Sequence, residues 1–264
     1  MHNGKKIVAI VIPAYNEEKR IGNTLESYGK FFEDRKNKFF DFEIIVVINN
    51  TTDKTEEIVK IYSKKYKEIK YLNFRQGGKG FAIIEGFKEA LKKEFDLIGF
   101  VDADMSTRPE AFYDLIKSMG NYDGVIASRA IRNARVYPKQ SLLRRFVSRI
   151  FNFLVRVMFM MNYRDTQCGA KIFKRKSLEI IIEKLGMTQW AFDVGLLYQM
   201  EINGLRIKEI PTVWRDVDFS KLKVKKQSIQ MLLAIIQLRI LNSPLKWGWK
   251  IISPFAGLLW KVAK

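Results

Sequence analysis

Five short apolar runs, each stopped by polar or glycine-rich residues and most followed by a stretch of helical period, constrain this chain more than any other feature. Lys6 to Ile12 (KIVAIVI) is continuous, rich in β-branched residues and ended by Pro13. Phe42 to Ile48 (FEIIVVI) runs into Asn-Asn-Thr-Thr-Asp, and Tyr71 to Phe74, Leu97 to Val101 and Gly124 to Ala127 complete the set. Runs without polar alternation indicate strands buried on both faces. Between them, about Glu17 to Phe32, Lys54 to Lys65, the segment opened by Gly77-Gly78-Lys79-Gly80 up to Lys93, and Arg108 to Met119 read as helices, the last entered through Pro109. This alternation predicts an α/β domain with a mostly parallel sheet flanked by helices. Ligands in such sheets bind beyond the carboxyl ends of the strands. Those ends carry the polar clusters Ala14-Tyr15-Asn16-Glu17, Asn49 to Asp53 and Asp102 to Thr107.

The 264 residues include one cysteine, Cys168, and one histidine, His2. A disulfide framework and a cysteine-rich zinc module are thereby excluded. A histidine near a chain terminus is a poor candidate for a triad member or general base, so the chemistry must run on carboxylates, hydroxyls, amides and cations. Cys168 has no histidine to activate it and reads as a small buried packing residue, and the glycine after it as a turn or a close backbone approach.

The net charge of +19 is localised. Arg129 to Arg164 holds nine basic residues and no acidic one, and so does Phe219 to Lys264, while the remainder is almost neutral at 29 basic against 28 acidic. Both segments are also apolar. In Ser141 to Met161, Arg145, Arg149, Asn152 and Arg156 recur at helical spacing as a narrow polar stripe. Gln227, Gln230, Ala234 and Gln237 form a similar stripe, followed by Trp247, Trp249 and Trp260 among lysines. Cationic amphipathic helices with tryptophan anchors are the pattern of interfacial membrane binding. No segment reaches the roughly 18 uninterrupted apolar residues of a spanning helix, and the first 30 residues lack a secretory signal pattern. The expectation is a peripheral protein on the cytoplasmic face of a membrane; the alternative is that these helices pack on the core or in a homo-oligomer interface. No nucleic-acid motif accompanies the charge, so nucleic acid is not an expected partner. The domain plan is a catalytic unit over 1–218, including the amphipathic helix 141–161, and a basic membrane-associating tail over 219–264.

Asp102-Ala103-Asp104 ends an apolar strand, where two carboxylates can turn toward one ligand. Hard oxygen donors suit Mg²⁺ or Mn²⁺, which bridge a diphosphate and stabilise its departure. Taken alone, Asp-x-Asp also fits a solvated turn; its place after the fourth strand of the alternation favours the metal.

In order along the chain, Val11-Ile12-Pro13-Ala14-Tyr15-Asn16-Glu17-Glu18, Asn49 to Thr55, Gly78-Lys79-Gly80 and Asp102-Ala103-Asp104 resemble the motifs of family 2 glycosyltransferases with the GT-A fold. Ser128-Arg129, Arg144-Arg145 and Asp165-Thr166-Gln167-Cys168-Gly169 resemble the polyprenyl-phosphate branch, and Trp190 to Val194 with Leu197-Tyr198 its dolichyl-phosphate glucosyl-type members. The resemblance implies that Pro13, Ala14, Tyr15 and Glu17 line a nucleoside pocket with Asn49 and Asp53 nearby. It implies that Lys79 and Asp102 lie at the nucleotide, that Asp102 and Asp104 hold the metal, and that Arg129, Arg144 and Arg145 bind phosphate. Asp53 also fits a helix N-cap, and Asp193 either an acid near the acceptor or an N-cap. Asn49 replaces the family's usual aspartate, leaving an amide to meet base or ribose, and Gly195 stands where glucosyl-type members often carry Glu. The implied activity is inverting transfer from a nucleotide sugar, UDP-glucose-like, to a polyprenyl or dolichyl phosphate. The alternatives are transfer to a sugar hydroxyl of a lipid-linked glycan with Asp193 as base, and a non-catalytic nucleotide-sugar-binding protein.

Overall fold

The structure, a computed structural model, describes residues 5–36, 40–138, 142–186, 191–215 and 224–243, with side chains from residue 145 in the 142–159 helix and from residue 230 in the last. Trp190, the tail tryptophans and most of the 219–264 segment lie outside the described residues.

Strands β1 (Lys6–Ala14), β2 (Phe40–Asn49), β3 (Ile69–Phe74), β4 (Leu97–Val101) and β5 (Gly124–Ser128) form where the apolar runs predict them. Helices α1 (Ile21–Glu33), α2 (Thr55–Lys65), α3 (Lys79–Leu91) and α4 (Pro109–Lys117) fill the intervals. Beyond β5 the chain adds β6 (Arg135–Tyr137), α5 (Leu142–Phe159), β7 (Ala170–Lys174), α6 (Arg175–Ile181), α7 (Phe192–Ile202), β8 (Ile207–Pro211), β9 (Val213–Arg215) and α8 (Val224–Leu241). The main sheet has the order β3-β2-β1-β4-β7-β5-β8. All its pairings are parallel except those of β7, which runs antiparallel between β4 and β5.

Alternate residues of β1 feed two cores. Val8, Ile10 and Ile12 pack under α1, α2 and α4, and Ala9 and Val11 pack under α3, α6 and α7. Burial of both faces is why β1, β2, β4 and β5 read as unbroken apolar runs; β3, at the sheet edge, is mostly exposed and departs from that expectation. A third apolar cluster joins α5, α7 and α8 through Val155, Phe159, Val194, Leu197, Ala234, Ile235 and Leu238.

The two amphipathic helices depart from the expected geometry. On α5, Asn152 turns inward and its Oδ1 accepts from the Thr166 amide (3.3 Å) and hydroxyl (3.2 Å). Arg145, Arg149 and Arg156 remain exposed beside an outward apolar stripe of Phe146, Ile150, Phe153, Val157 and, just past the helix, Met160. On α8, Ala234 of the glutamine-rich stripe is buried in the third cluster, so this stripe borders the packed face and not water alone. No helix of the described residues is long and apolar enough to cross a membrane.

Candidate active site

The carboxyl ends of β1 and β2 are laced together by short polar side chains. Asn16, left-handed at φ 52°, accepts the Thr52 amide on Oδ1 (2.9 Å), and the Glu17 amide donates to Thr55 Oγ1 (2.7 Å). Asp53 takes the Glu18 amide on Oδ2 (3.0 Å) and the Thr55 amide on Oδ1 (3.0 Å). Burial works against its charged form, but these hydrogen bonds outweigh it and hold the carboxyl below the usual range. Asp53 is therefore an organiser of the first turn of α2.

Asn49 is buried, and with its amide oriented to satisfy both neighbours, the oxygen accepts from Gly78 N–H (3.0 Å) and the nitrogen donates to the Ala14 carbonyl (2.9 Å). Each end of the amide is thus engaged by backbone, the oxygen by Gly78 and the nitrogen by Ala14. An aspartate could accept from Gly78 but has no proton for Ala14 when ionised. Gly78 itself sits at φ 126°, which admits glycine readily and starts α3 with Lys79 aimed at the site. Pro13 and Ala14 are buried at the strand end, whereas Tyr15 is 54% exposed at its mouth.

Asp102 leaves β4 and pairs with Lys79 at 2.5 Å. Its amide donates to the Gly169 carbonyl (3.0 Å), and its carboxylate rests on Gly169 itself, where a Cβ would lie 1.8 Å from Oδ2. Asp104 accepts the Ser106 amide on Oδ1 (2.9 Å) and the Ser106 hydroxyl on the same oxygen, closing a turn that puts Met105 at φ 61°. Helix α1 secures the loop from behind: Thr24 Oγ1 donates to the Ala103 carbonyl (2.6 Å) and Tyr28 to the Thr107 carbonyl (2.9 Å).

The electrostatics place these groups in one field. Burial pushes the Asp102 carboxyl up; Lys79 opposes this, and Asp104 and Asp193 add to it. Burial works against the Lys79 ammonium, but Asp102, Asp193 and Asp104 outweigh it and raise its pKa. Glu17, chelating Arg20 at 2.7 and 2.8 Å, is also raised, mainly by burial and in part by the charges of Asp104 and Asp102. Converging carboxylates that repel one another are a donor set suited to a hard divalent cation. Among the described residues no three carboxylates, cysteines or histidines close a metal cage on their own. A cation here would complete its shell with water and ligand phosphate, as Mg²⁺ usually does.

At the end of β5, Arg129 forks onto Asp165 through Nε (2.7 Å) and Nη2 (2.9 Å), its amide donates to the same carboxylate (2.9 Å), and its guanidinium lies 5.1 Å from the Trp214 ring centre. Burial works against the charged Asp165, but Arg129 outweighs it and holds the carboxyl below the usual range. Glu209 on β8 caps the same turn by accepting the Asp165 amide (2.8 Å). Cys168 is buried, and burial pushes its thiol up to about 12, so it is a neutral packing group at physiological pH. Asp193, in the first turn of α7, is nearly buried and bound to Lys171 Nζ at 2.5 Å.

Thus Pro13, Ala14, Tyr15, Glu17, Asn49, Lys79, Asp102 and Asp104 gather at the carboxyl ends of β1, β2 and β4, and Asp193 joins them through charge. Arg129 belongs to a neighbouring ion pair. Arg145 is exposed on α5, and the side chain of Arg144, one residue before it, is outside the described set. Sequence reasoning missed Thr24, Tyr28 and Lys171. A threonine and a tyrosine four apart on an apolar helix face were the available signal for the first two. Lys171 had none, because lysine within a strand reads as surface.

A mostly parallel sheet with an Asp-x-Asp loop at the end of β4, beside a glycine-led helix start carrying lysine, defines a GT-A-type glycosyltransferase fold. The chain belongs to glycosyl transferase family 2, whose family model matches residues 9–181. Among curated proteins it is similar to dolichyl-phosphate beta-glucosyltransferase ALG5A of Trichomonas vaginalis, with 35% identity over 92% of this chain and 76% of the relative. It is also similar to the dolichyl-phosphate beta-glucosyltransferases of Dictyostelium discoideum (31%, covering 93% and 77%) and Homo sapiens (30%, covering 82% and 70%). Among solved structures, it resembles glucosyl-3-phosphoglycerate synthase from Mycobacterium tuberculosis in complex with UDP, at TM-score 0.66 and 18% identity over 91% of this chain and 82% of that one. The complex with Mn²⁺, UDP and glucosyl-3-phosphoglycerate gives 0.65 and 18%, over 89% and 80%.

Proposed function

We propose that this protein transfers glucose, with inversion, from UDP-glucose to dolichyl phosphate or a related polyprenyl phosphate at a membrane surface. The observation that carries the reading is the Asp102–Ala103–Asp104 loop beside Lys79, in a chain whose relatives are named for this reaction. The nucleoside lies against Pro13, Ala14 and Tyr15, with Glu17 below. Asp104, with Asp102 beside it, would hold Mg²⁺ or Mn²⁺, which supplies Lewis-acid stabilisation of the leaving diphosphate. Lys79 offsets negative charge near the nucleotide. Arg129, Arg144 and Arg145 are assigned to the phosphates, Arg129 while holding Asp165 and the other two from the start of α5.

The acceptor is an ionised phosphate and attacks the anomeric carbon in line without a general base, which fits a chain whose only histidine is His2. Transfer to a sugar hydroxyl would need Asp193 as base. Its ion pair with buried Lys171 argues against that role.

The reading places the protein peripherally at the cytoplasmic face, and what supports the membrane contact is α5. Phe146, Ile150, Phe153 and Val157 face solvent as one apolar stripe, with Arg145, Arg149 and Arg156 along its edge, the arrangement of an interfacial helix with cations at headgroup level. The alternative occupant of that stripe is a second copy of the chain.

Radiolabelled UDP-glucose, UDP-N-acetylglucosamine and GDP-mannose, each offered with dolichyl or undecaprenyl phosphate and Mg²⁺ or Mn²⁺, test the reaction. Label in lipid from UDP-glucose is expected, and no lipid labelling from any donor sinks the proposal. Asp104→Asn should abolish transfer. Sedimentation with anionic liposomes tests attachment, and a concentration-dependent dimer in ultracentrifugation without liposome binding would assign the stripe to self-association.

A further inference from the structure

Lys171 is the least expected residue in the core. It occupies β7, opposite Phe100 of β4 in the middle of the sheet, and none of it reaches solvent. Its ammonium donates to Asp193 Oδ1 (2.5 Å) and to the Cys168 carbonyl (2.7 Å) and lies 5.3 Å from the Phe100 ring centre. Burying such a pair brings little or no net stability, and an apolar side chain of similar volume would serve a sheet core as well or better. The fold therefore gives no reason for a lysine here.

What the lysine reaches supplies one. Through Asp193 it holds the first turn of α7. Through the Cys168 carbonyl it holds the residue preceding Gly169, on which the Asp102 carboxylate rests. On the same Phe100 ring, at 5.9 Å, lies the ammonium of Lys79, paired with Asp102. Two ion pairs, Lys79–Asp102 and Lys171–Asp193, thus share one aromatic ring, and the charge of Asp193 is felt at both members of the first pair. Without Lys171, Asp193 is a buried carboxylate that has lost its ion-pair partner while its charge still acts on Lys79. It then draws Lys79 away from Asp102, which displaces the groups assigned to the diphosphate.

We propose that Lys171 is a positioning residue for glycosyl transfer: by engaging Asp193 and the Cys168 carbonyl it keeps Lys79 with Asp102 and seats Asp102 on Gly169. This role rests on the proposed transferase reading. It requires no contact between Lys171 and either substrate.

The test compares wild type, Lys171→Gln and Lys171→Met by turnover per nucleotide site, the sites being counted by calorimetric titration with UDP and Mn²⁺. Counting sites removes any loss due to misfolded protein. The expected result is a fall of about 10²-fold in turnover per site for Lys171→Met, the scale on which small misplacements act. Lys171→Gln, which keeps a donor but not the charge, should fall between. Turnover per site within twofold of wild type in both variants overturns the role. So does a loss of UDP sites in both variants that matches a loss of folded protein by circular dichroism, which would assign the lysine to folding. Wild-type protein that transfers no sugar from any donor fails the transferase reading itself and takes this role with it, whereas an active wild type with unchanged variants fails this role alone.

Discussion

At Gly169 the missing side chain is itself a structural element. The Asp102 carboxylate occupies the volume a Cβ would fill, so Gly169→Ala must push the aspartate off its seat or shift β7 away from β4. Asp102 stands 29% exposed and is the softer partner, so the expected outcome is a stable protein with the Asp102–Lys79 pair broken. Turnover should drop by about 10²-fold while the unfolding midpoint moves little; assay and thermal melt check both. The acids and the lysine of this site were legible because Asp-x-Asp after an apolar strand and Gly-Lys-Gly before a helix carry chemistry in their order. Asn49 was legible only as a departure, since an amide says nothing of whether it faces ligand or backbone. Lys171 was not legible at all, because its reason lies in Asp193, 22 residues away in sequence and brought beside it only when α7 packs on the sheet.

Helix α1 shows how an element far from the ligand governs the site. Its Thr24 and Tyr28 hydroxyls satisfy two carbonyls of the 102–107 loop, those of Ala103 and Thr107. Thr24→Val leaves the Ala103 carbonyl buried without a partner, at a cost of about 1–3 kcal/mol, and Thr24→Val with Tyr28→Phe should cost more and lower turnover as the loop loosens. Urea denaturation and the transfer assay measure the two effects. On α5 the separation is opposite. Phe153 is 63% exposed, so Phe153→Glu should leave stability within about 0.5 kcal/mol yet weaken liposome sedimentation severalfold; unchanged sedimentation would remove the stripe from the membrane contact. The apolar runs disclosed β1, β2, β4 and β5, but β7 (AKIFK) and β8 (IKEIP) escaped notice because lysines and a glutamate interrupt them. In β7 the interrupting lysine is in the core. The arginine positions on α5 were read correctly as a stripe, but Asn152 within it serves the Thr166 turn, a distinction that helical spacing cannot make.

Across the whole molecule, acid stability should be governed by the Arg129–Asp165 pair, which ties the end of β5 to the turn before β7. The Asp165 carboxyl is held below its unfolded range, so its contribution is complete above about pH 4. That contribution is lost only as the pH falls through the lower folded value. Arg129→Met leaves Asp165 buried without its guanidinium and raises its pKa, which moves the acid-unfolding midpoint to higher pH. Circular dichroism followed through an acid titration measures the shift, and an unchanged midpoint would show that other groups control it.

The place of β7 also has a consequence in time. A ribosome releases β1 to β4 well before the strand that pairs with the open side of β4, and β5, which follows β4 directly, cannot close that side because β7 stands between them in the finished sheet. From the emergence of Val101 until that of Lys174, the nascent domain therefore carries an apolar strand with one edge unsatisfied, a state prone to wrong pairing. Over the same interval the seat of Asp102 has not yet been made. Pairing of the open side of β4 and formation of the seat of Asp102 then coincide late in synthesis.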